Sequence, residues 1–237
     1  MPSINKALQS QIGRKLLTGI TGVALMLFII VHLAGNLSLF GAEGAFNANT
    51  HKLESMGLLL YIAEIGLIIL FALHAYIGIS IYWRKRKARP EGYKTYKSIG
   101  GPSKQTLSSK TMAWSGIVLL VFVVLHVIHF KFGPGLEEGY TATLESGETV
   151  RDLKALVIEE FQKPLITFLY VAVMLFLGFH LRHGFWSAFT SLTMRHTNFS
   201  NVMYTIGVLF AIVMAVGFIF IPLYIYFTGG QGALIAY

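Results

Sequence analysis

Residues 16–40 read LLTGITGVALMLFIIVHLAGNLSLF, a run without a single Asp, Glu, Lys or Arg. A helix rises about 1.5 Å per residue, so this run is long enough to cross a hydrocarbon core of about 30 Å. His32 sits well inside it. An ionisable side chain at that depth is costly unless it has a partner or a function. The arrangement recurs three times. Residues 56–82 carry His74, residues 111–130 carry His126 and residues 164–189 carry His180. A fifth apolar run, 202–227, carries no histidine.

The five runs predict an all-α integral membrane protein of five transmembrane helices, one domain over residues 1–237. Composition agrees. The chain is 54% hydrophobic and only 13% charged, with a mean hydropathy of +0.63, whereas soluble domains are about a quarter charged. There is no cysteine. That excludes disulfides, thiolate-ligated iron–sulfur clusters and cysteine zinc sites on this chain. A metal here must be held by His, Met or carboxylate. The net charge of +8 lies beside the spans, where it sets orientation, so no nucleic-acid partner is expected. The first ten residues are polar and the run after them is too long for a signal h-region, so no cleaved signal is expected.

The connecting segments differ in charge. Segment 41–55, GAEGAFNANTHKLES, is small and polar and is expected to be a loop. Segment 84–110 carries nine Lys/Arg and one acid, Glu91. Segment 131–163 carries seven acids and four bases. Its second part, ETVRDLKALVIEEFQK, has helical periodicity and is expected at the membrane interface. Pro164 suits the first turn of the fourth span. A short loop with Arg195 and His196 precedes the fifth. The N-terminal segment, the 84–110 segment and the 182–201 region hold 14 of the 19 Lys/Arg. The positive-inside rule then places the N-terminus in the cytoplasm and the C-terminus outside. No internal repeat is evident.

Orientation turns position into depth. His32 lies 17 residues past Lys15 and His126 lies 16 past Lys110, both in the outer half. His74 lies ten before Arg84 and His180 lies late in an inward-running span, both in the inner half. Two levels result, each with two imidazoles on different helices: His32 with His126, and His74 with His180. Two bis-histidine haems stacked in a four-helix bundle would use that pattern. Small residues flank the sites (Ala34 and Gly35, Ala75 and Gly78, Ser115 and Gly116, Gly178 and Gly184), and a flat macrocycle needs such gaps. The bland alternative is a set of core histidines or a proton relay. A metal transporter is disfavoured because Glu64 is the one intramembrane carboxylate. Spacing alone leaves His126 against His129, and His180 against His183, undecided, because residues three apart face nearly the same way.

Taken in order, His32-Leu-Ala-Gly-Asn36, GAEGAFN over 41–47, His74-Ala-Tyr-Ile-Gly78, Leu125-His126-Val127 and His180-Leu-Arg-His-Gly-Phe-Trp186 resemble a known family. It is the single-chain, five-helix, di-haem cytochrome b subunit of bacterial succinate:quinone oxidoreductases, a group that includes quinol:fumarate reductases. The resemblance covers nearly the whole chain. The family pattern H-x-x-x-G-[LF]-[WY] matches His180 as ligand and leaves His183 as the variable position; the third ligand matches His126 and leaves His129 without a family role. The resemblance implies two haem b groups. It also implies a flavoprotein carrying FAD and an iron–sulfur subunit on the cytoplasmic side of a bacterial cytoplasmic membrane, with menaquinone as the usual quinone of di-haem members. The dicarboxylate chemistry would lie on the flavoprotein, and this chain would anchor both partners, with segment 84–110 helping to dock the iron–sulfur subunit; a plain topology determinant explains most of those charges equally well.

Weaker expectations follow. Haem propionates need cationic or hydrogen-bonding partners, and Arg14, Lys15, Arg182 and His183 are the candidates near the inner face; snorkelling to the interface is the bland reading of the three charged residues. Glu64, ten residues before His74 and so towards the outer side, is a candidate proton donor or acceptor for a quinone, with a structural, hydrogen-bonded Glu as the bland reading. His51 and Glu54 read as part of a solvated loop that edges the same region. Trp114, Trp186 and the many Phe read as packing and anchors. Two other classes compete: the di-haem anchor of another quinone-linked dehydrogenase or hydrogenase, which lacks this motif order, and a haem-free transporter, which favours broken helices. Here the one late internal proline is Pro222.

Overall fold

The computed structural model describes residues 10–88, 108, 111–192 and 197–230, without the side chains of 197–199. The basic stretch 89–107, the loop with Arg195 and His196, the lead-in 1–9 and the tail 231–237 lie outside the described residues. Five helices are long and apolar enough to cross a membrane, which is the architecture of an all-α, multi-pass membrane protein.

The spanning elements are α1 (Gln11–Leu37), α3 (Leu58–Ala88), α4 (Met112–His126), α6 (Pro164–Ser191) and α7 (Thr197–Thr228). Ser10 caps α1 by accepting from the Gly13 amide at 3.0 Å. Helix α1 therefore begins before the apolar run, and Arg14 and Lys15 are helical. Helix α3 likewise continues through Arg84-Lys85-Arg86-Lys87, because an interfacial turn solvates its cations without breaking backbone hydrogen bonds. Helix α7 runs through Pro222. The last turn of α4 widens into a π-turn, Val127–Lys131, closed by Phe132 N–H donating to the Val127 carbonyl at 3.2 Å.

A cap covers one end of the bundle. It contains α2 (Ala45–Glu54), an antiparallel hairpin of β1 (Thr141–Thr143) and β2 (Thr149–Arg151), and α5 (Leu153–Gln162). This corrects two expectations. Segment 41–55 is largely helical. Phe46 and Asn47 of α2 are buried, so tertiary packing overrides a weak local pattern. The helix expected from Glu148 begins only at Leu153, because Thr149–Arg151 pairs as a strand and Asp152 caps α5 through the Ala155 amide at 2.9 Å.

Two polar locks hold the cap. Asn47, 4% exposed, donates to Asp152 Oδ1 at 2.8 Å and accepts from the Lys154 amide at 3.0 Å. The Arg151 guanidinium donates to the carbonyls of Phe130, Lys131, Gly133 and Pro134 at 2.9–3.3 Å. These include acceptors that the end of a helix leaves unpaired.

The apolar core lies between α1, α6 and α7, around Met26, Leu33, Leu181, Ala211 and Met214, and runs into the cap through Leu39, Phe46, Val157 and Phe161. Helix α7 approaches closely enough that a Cβ at Gly217 would stand 2.7 Å from Leu33. Helices α3 and α4 are peripheral: Ile77 is the buried residue of one, and Ser115 of the other.

Candidate functional site

Four helices bring the histidines together in two pairs. Towards the cap, the rings of His32 (α1) and His126 (α4) lie 5.8 Å apart, edge to face. Towards the opposite end, which carries Arg14 and Arg84–Lys87, the rings of His74 (α3) and His180 (α6) lie 6.3 Å apart. All four are half-buried. Along α1 and α4 the two levels are eleven residues apart, about 16 Å at the helical rise.

The second pair is held by hydroxyls. Thr21 Oγ1 lies 3.1 Å from His74 Nδ1, and Ser115 Oγ lies 3.2 Å from His180 Nδ1. Each hydroxyl also donates to its own helix, Thr21 to the Leu17 carbonyl at 2.8 Å and Ser115 to the Met112 carbonyl at 3.0 Å. A hydroxyl has one proton. With that proton on a carbonyl, its oxygen accepts from Nδ1–H, which leaves Nε2 as the lone-pair nitrogen. The glycine after each hydroxyl makes room: a Cβ at Gly22 would stand 3.3 Å from His74 Cε1, and one at Gly116 would stand 3.5 Å from His180 Cε1.

The first pair is set in aromatic rings. Phe28 stacks on His32 and Phe122 on His126. The Tyr170 hydroxyl lies 3.3 Å from His126 Nδ1.

This donor set fits axial ligation of two haems. Two metal–nitrogen bonds of about 2 Å and two ring radii of about 1 Å place imidazole centroids about 6 Å apart. Partners on Nδ1 that fix the tautomer are the usual support for a ligating imidazole. Among the described residues no cluster of three or more His, Cys, Asp or Glu could hold a bare metal ion.

The other expected residues divide. Glu64 is not isolated; it forms an ion pair with Lys131 at the end of α4. Arg14 donates to Ser80 of α3. Lys15 is exposed. Arg182 donates to the Tyr204 hydroxyl at 2.6 Å and to Ser108 at 3.4 Å, and so ties α6 to α7. His183 is half-buried beside it. His129 points into the cap and meets Glu160 at 2.9 Å, while His51 meets Glu148 at 3.2 Å. Of the small residues, Gly116 borders a histidine; Gly178 packs on Ala215 and Gly184 on Met26, while Gly35 and Gly78 have open space beside them.

Thr21, Tyr170 and Lys131 are functional candidates that the sequence reading passed over, and Ser115 entered it only as a small residue. A signal existed. Thr21 and His32 are eleven apart, as are Ser115 and His126, and three turns of helix put such residues on one face. Outside the spans, on the exposed side of the cap, Tyr140 donates to Glu159. That bond, and then Lys163, holds the Glu159 carboxyl below its ordinary range, while the same bond pushes the Tyr140 hydroxyl up.

Compared with family models, with curated proteins and with solved structures, the chain matches none of them.

Proposed function

We propose that this chain is the membrane-anchor cytochrome b subunit of a succinate:quinone oxidoreductase. In this reading it serves electron passage between an iron–sulfur partner and a quinone, with two b haems held by His32 with His126 and by His74 with His180. The observation that carries the reading is the double pairing of imidazoles on four helices, one pair with both Nδ1 atoms committed to hydroxyls. A haem so held supplies reversible one-electron transfer. The residues of the chain do the rest. Thr21 and Ser115 fix ring orientation; Gly22 and Gly116 make room for the His74 and His180 rings; Phe28 and Phe122 stack on His32 and His126. The end with Arg14 and Arg84–Lys87 is assigned to the cytoplasm and to the soluble partners by its positive charge. Arg14, Lys15, Arg182 and His183 stand at that end as partners for propionates. At the cap end Glu64, paired with Lys131, would exchange a proton with a bound quinone.

The test is a dithionite-reduced minus oxidised spectrum of the protein purified from its own membrane, with haem quantified per chain. Two low-spin b haems, and a copurifying flavoprotein that oxidises succinate, support the assignment. A colourless protein overturns it, and a hydrogenase as partner moves the chain to another quinone-linked complex. In the succinate:quinone complex Glu64→Gln should slow quinone turnover about 100-fold or more, in the range that removal of a proton-transfer group costs, with haem spectra unchanged.

A further inference from the structure

The haem-proximal machinery of this chain is duplicated, and the duplication is crossed. Helix α1 carries Thr21-Gly22 and, three turns on, His32. Helix α4 carries Ser115-Gly116 and, three turns on, His126. In both cases the hydroxyl–glycine pair serves a histidine on another helix, the one the chain enters next among the four histidine helices: His74 on α3 for Thr21, and His180 on α6 for Ser115. The two histidines so served are the ones that face each other. In both cases the hydroxyl is buried, Thr21 4% and Ser115 0% exposed, and its proton goes to its own helix backbone. The pair nearer the cap is built otherwise, with Tyr170 as the partner of His126.

We propose that Thr21 and Ser115 are paired positioning residues that give the haem between His74 and His180 a lower reduction potential than the ring nitrogens alone would set. The inference rests on the di-haem reading. A buried hydroxyl that already donates to a carbonyl is polarised and accepts more strongly. Each Nδ1–H is drawn towards oxygen, which raises the basicity of Nε2. A more basic axial pair favours the oxidised iron. Because both hydroxyls would act in the same sense on one group, their effects should be equal in sign and close to additive, with the Thr18 backbone as a further partner of His74 alone. Neither residue touches His32 or His126, so the other haem should be indifferent to both.

The experiment is a spectroelectrochemical titration of the purified complex carrying Thr21→Val, Ser115→Ala, both together, or the conservative Thr21→Ser. Each single removal should raise the lower-level haem's midpoint about tenfold in equilibrium terms, or about 59 mV for one electron. The double variant should move it about twice as far, and Thr21→Ser should restore the parent value. Low-spin electron paramagnetic resonance signals should shift for that haem alone. Two haems present with both midpoints unmoved, or both moved alike, overturns the proposal while leaving the di-haem reading intact. No haem in the parent protein overturns the reading itself. If Ser115→Ala fails to assemble, Thr21→Val against Thr21→Ser decides alone.

Discussion

At the residue scale, the four imidazoles differ in kind from the hydroxyls that meet two of them. An imidazole in an apolar run stands out because ionisable groups there are rare. A hydroxyl does not: Thr and Ser in membrane helices commonly satisfy themselves on the preceding turn, as Thr18 does on the Arg14 carbonyl at 2.8 Å. Only the three-turn spacing to a histidine distinguishes Thr21 and Ser115, and that needs the opposite helix to give it meaning. Gly22 makes the same point with a sharper test. A Cβ there meets the His74 ring at 3.3 Å, a contact that a small shift absorbs, but a branched side chain cannot fit. On the proposed di-haem reading, Gly22→Val should remove the spectrum of the haem assigned to His74 and His180 while leaving the other, so haem per chain falls from two to one. Retention of both haems in that variant contradicts the proposed ligation by His74.

At the element scale, the long helices followed from hydropathy, whereas the cap did not. A ten-residue helix with a small polar sequence is marginal alone, and α2 exists because Phe46 and Asn47 are buried against α5. The hairpin was hidden because three-residue strands leave little alternation to read. Removing the Asn47 side chain takes one of two donors from Asp152 Oδ1, which keeps the Ala155 amide, and takes an acceptor from the Lys154 amide. Asn47→Ala should cost about 1–3 kcal/mol, seen as a lower thermal midpoint in detergent with haem spectra unchanged before the transition. Arg151→Lys keeps the charge but loses the fork that spans four carbonyls. It should destabilise by about 1.5–3 kcal/mol, with hydrogen exchange rising first over 127–134. The Tyr140–Glu159 bond makes a pH prediction. A carboxyl held below its ordinary value of 4.5 adds stability that is fully present above that value. The contribution is lost as pH falls through the lowered one. Protection factors in β1 and around Glu159 in α5 should therefore fall below pH 4.5 and stay level between 5 and 8; Tyr140→Phe should weaken the dependence, leaving the part due to Lys163.

At the scale of the whole molecule, depth was the legible quantity. Counts from Lys15 and Lys110 put His32 level with His126, and the count to Arg84, with the late position of His180 in its span, puts His74 level with His180, because a helix converts number into distance. What counting could not show is that α7, which has no histidine, completes the apolar core with α1 and α6, while α3 and α4 stay at the edge. The absence of native cysteine allows a direct check of orientation. A single cysteine at position 145, in the hairpin turn, should react with an impermeant maleimide added to intact cells, and one at position 86 only after the membrane is opened. The reverse pattern would invert the assignment of partners and quinone to the two faces. The π-turn at Val127–Lys131 has a consequence for length variation in this chain. One residue is about 100° of helix. Deleting Ile128 would rewind the turn into ordinary helix and swing His129 away from Glu160 and Lys131 away from Glu64 together, while His126, upstream, kept its bearing. The extra residue works as a shim: it separates the register of what faces the bundle from the register of what faces the cap, so the two can drift independently.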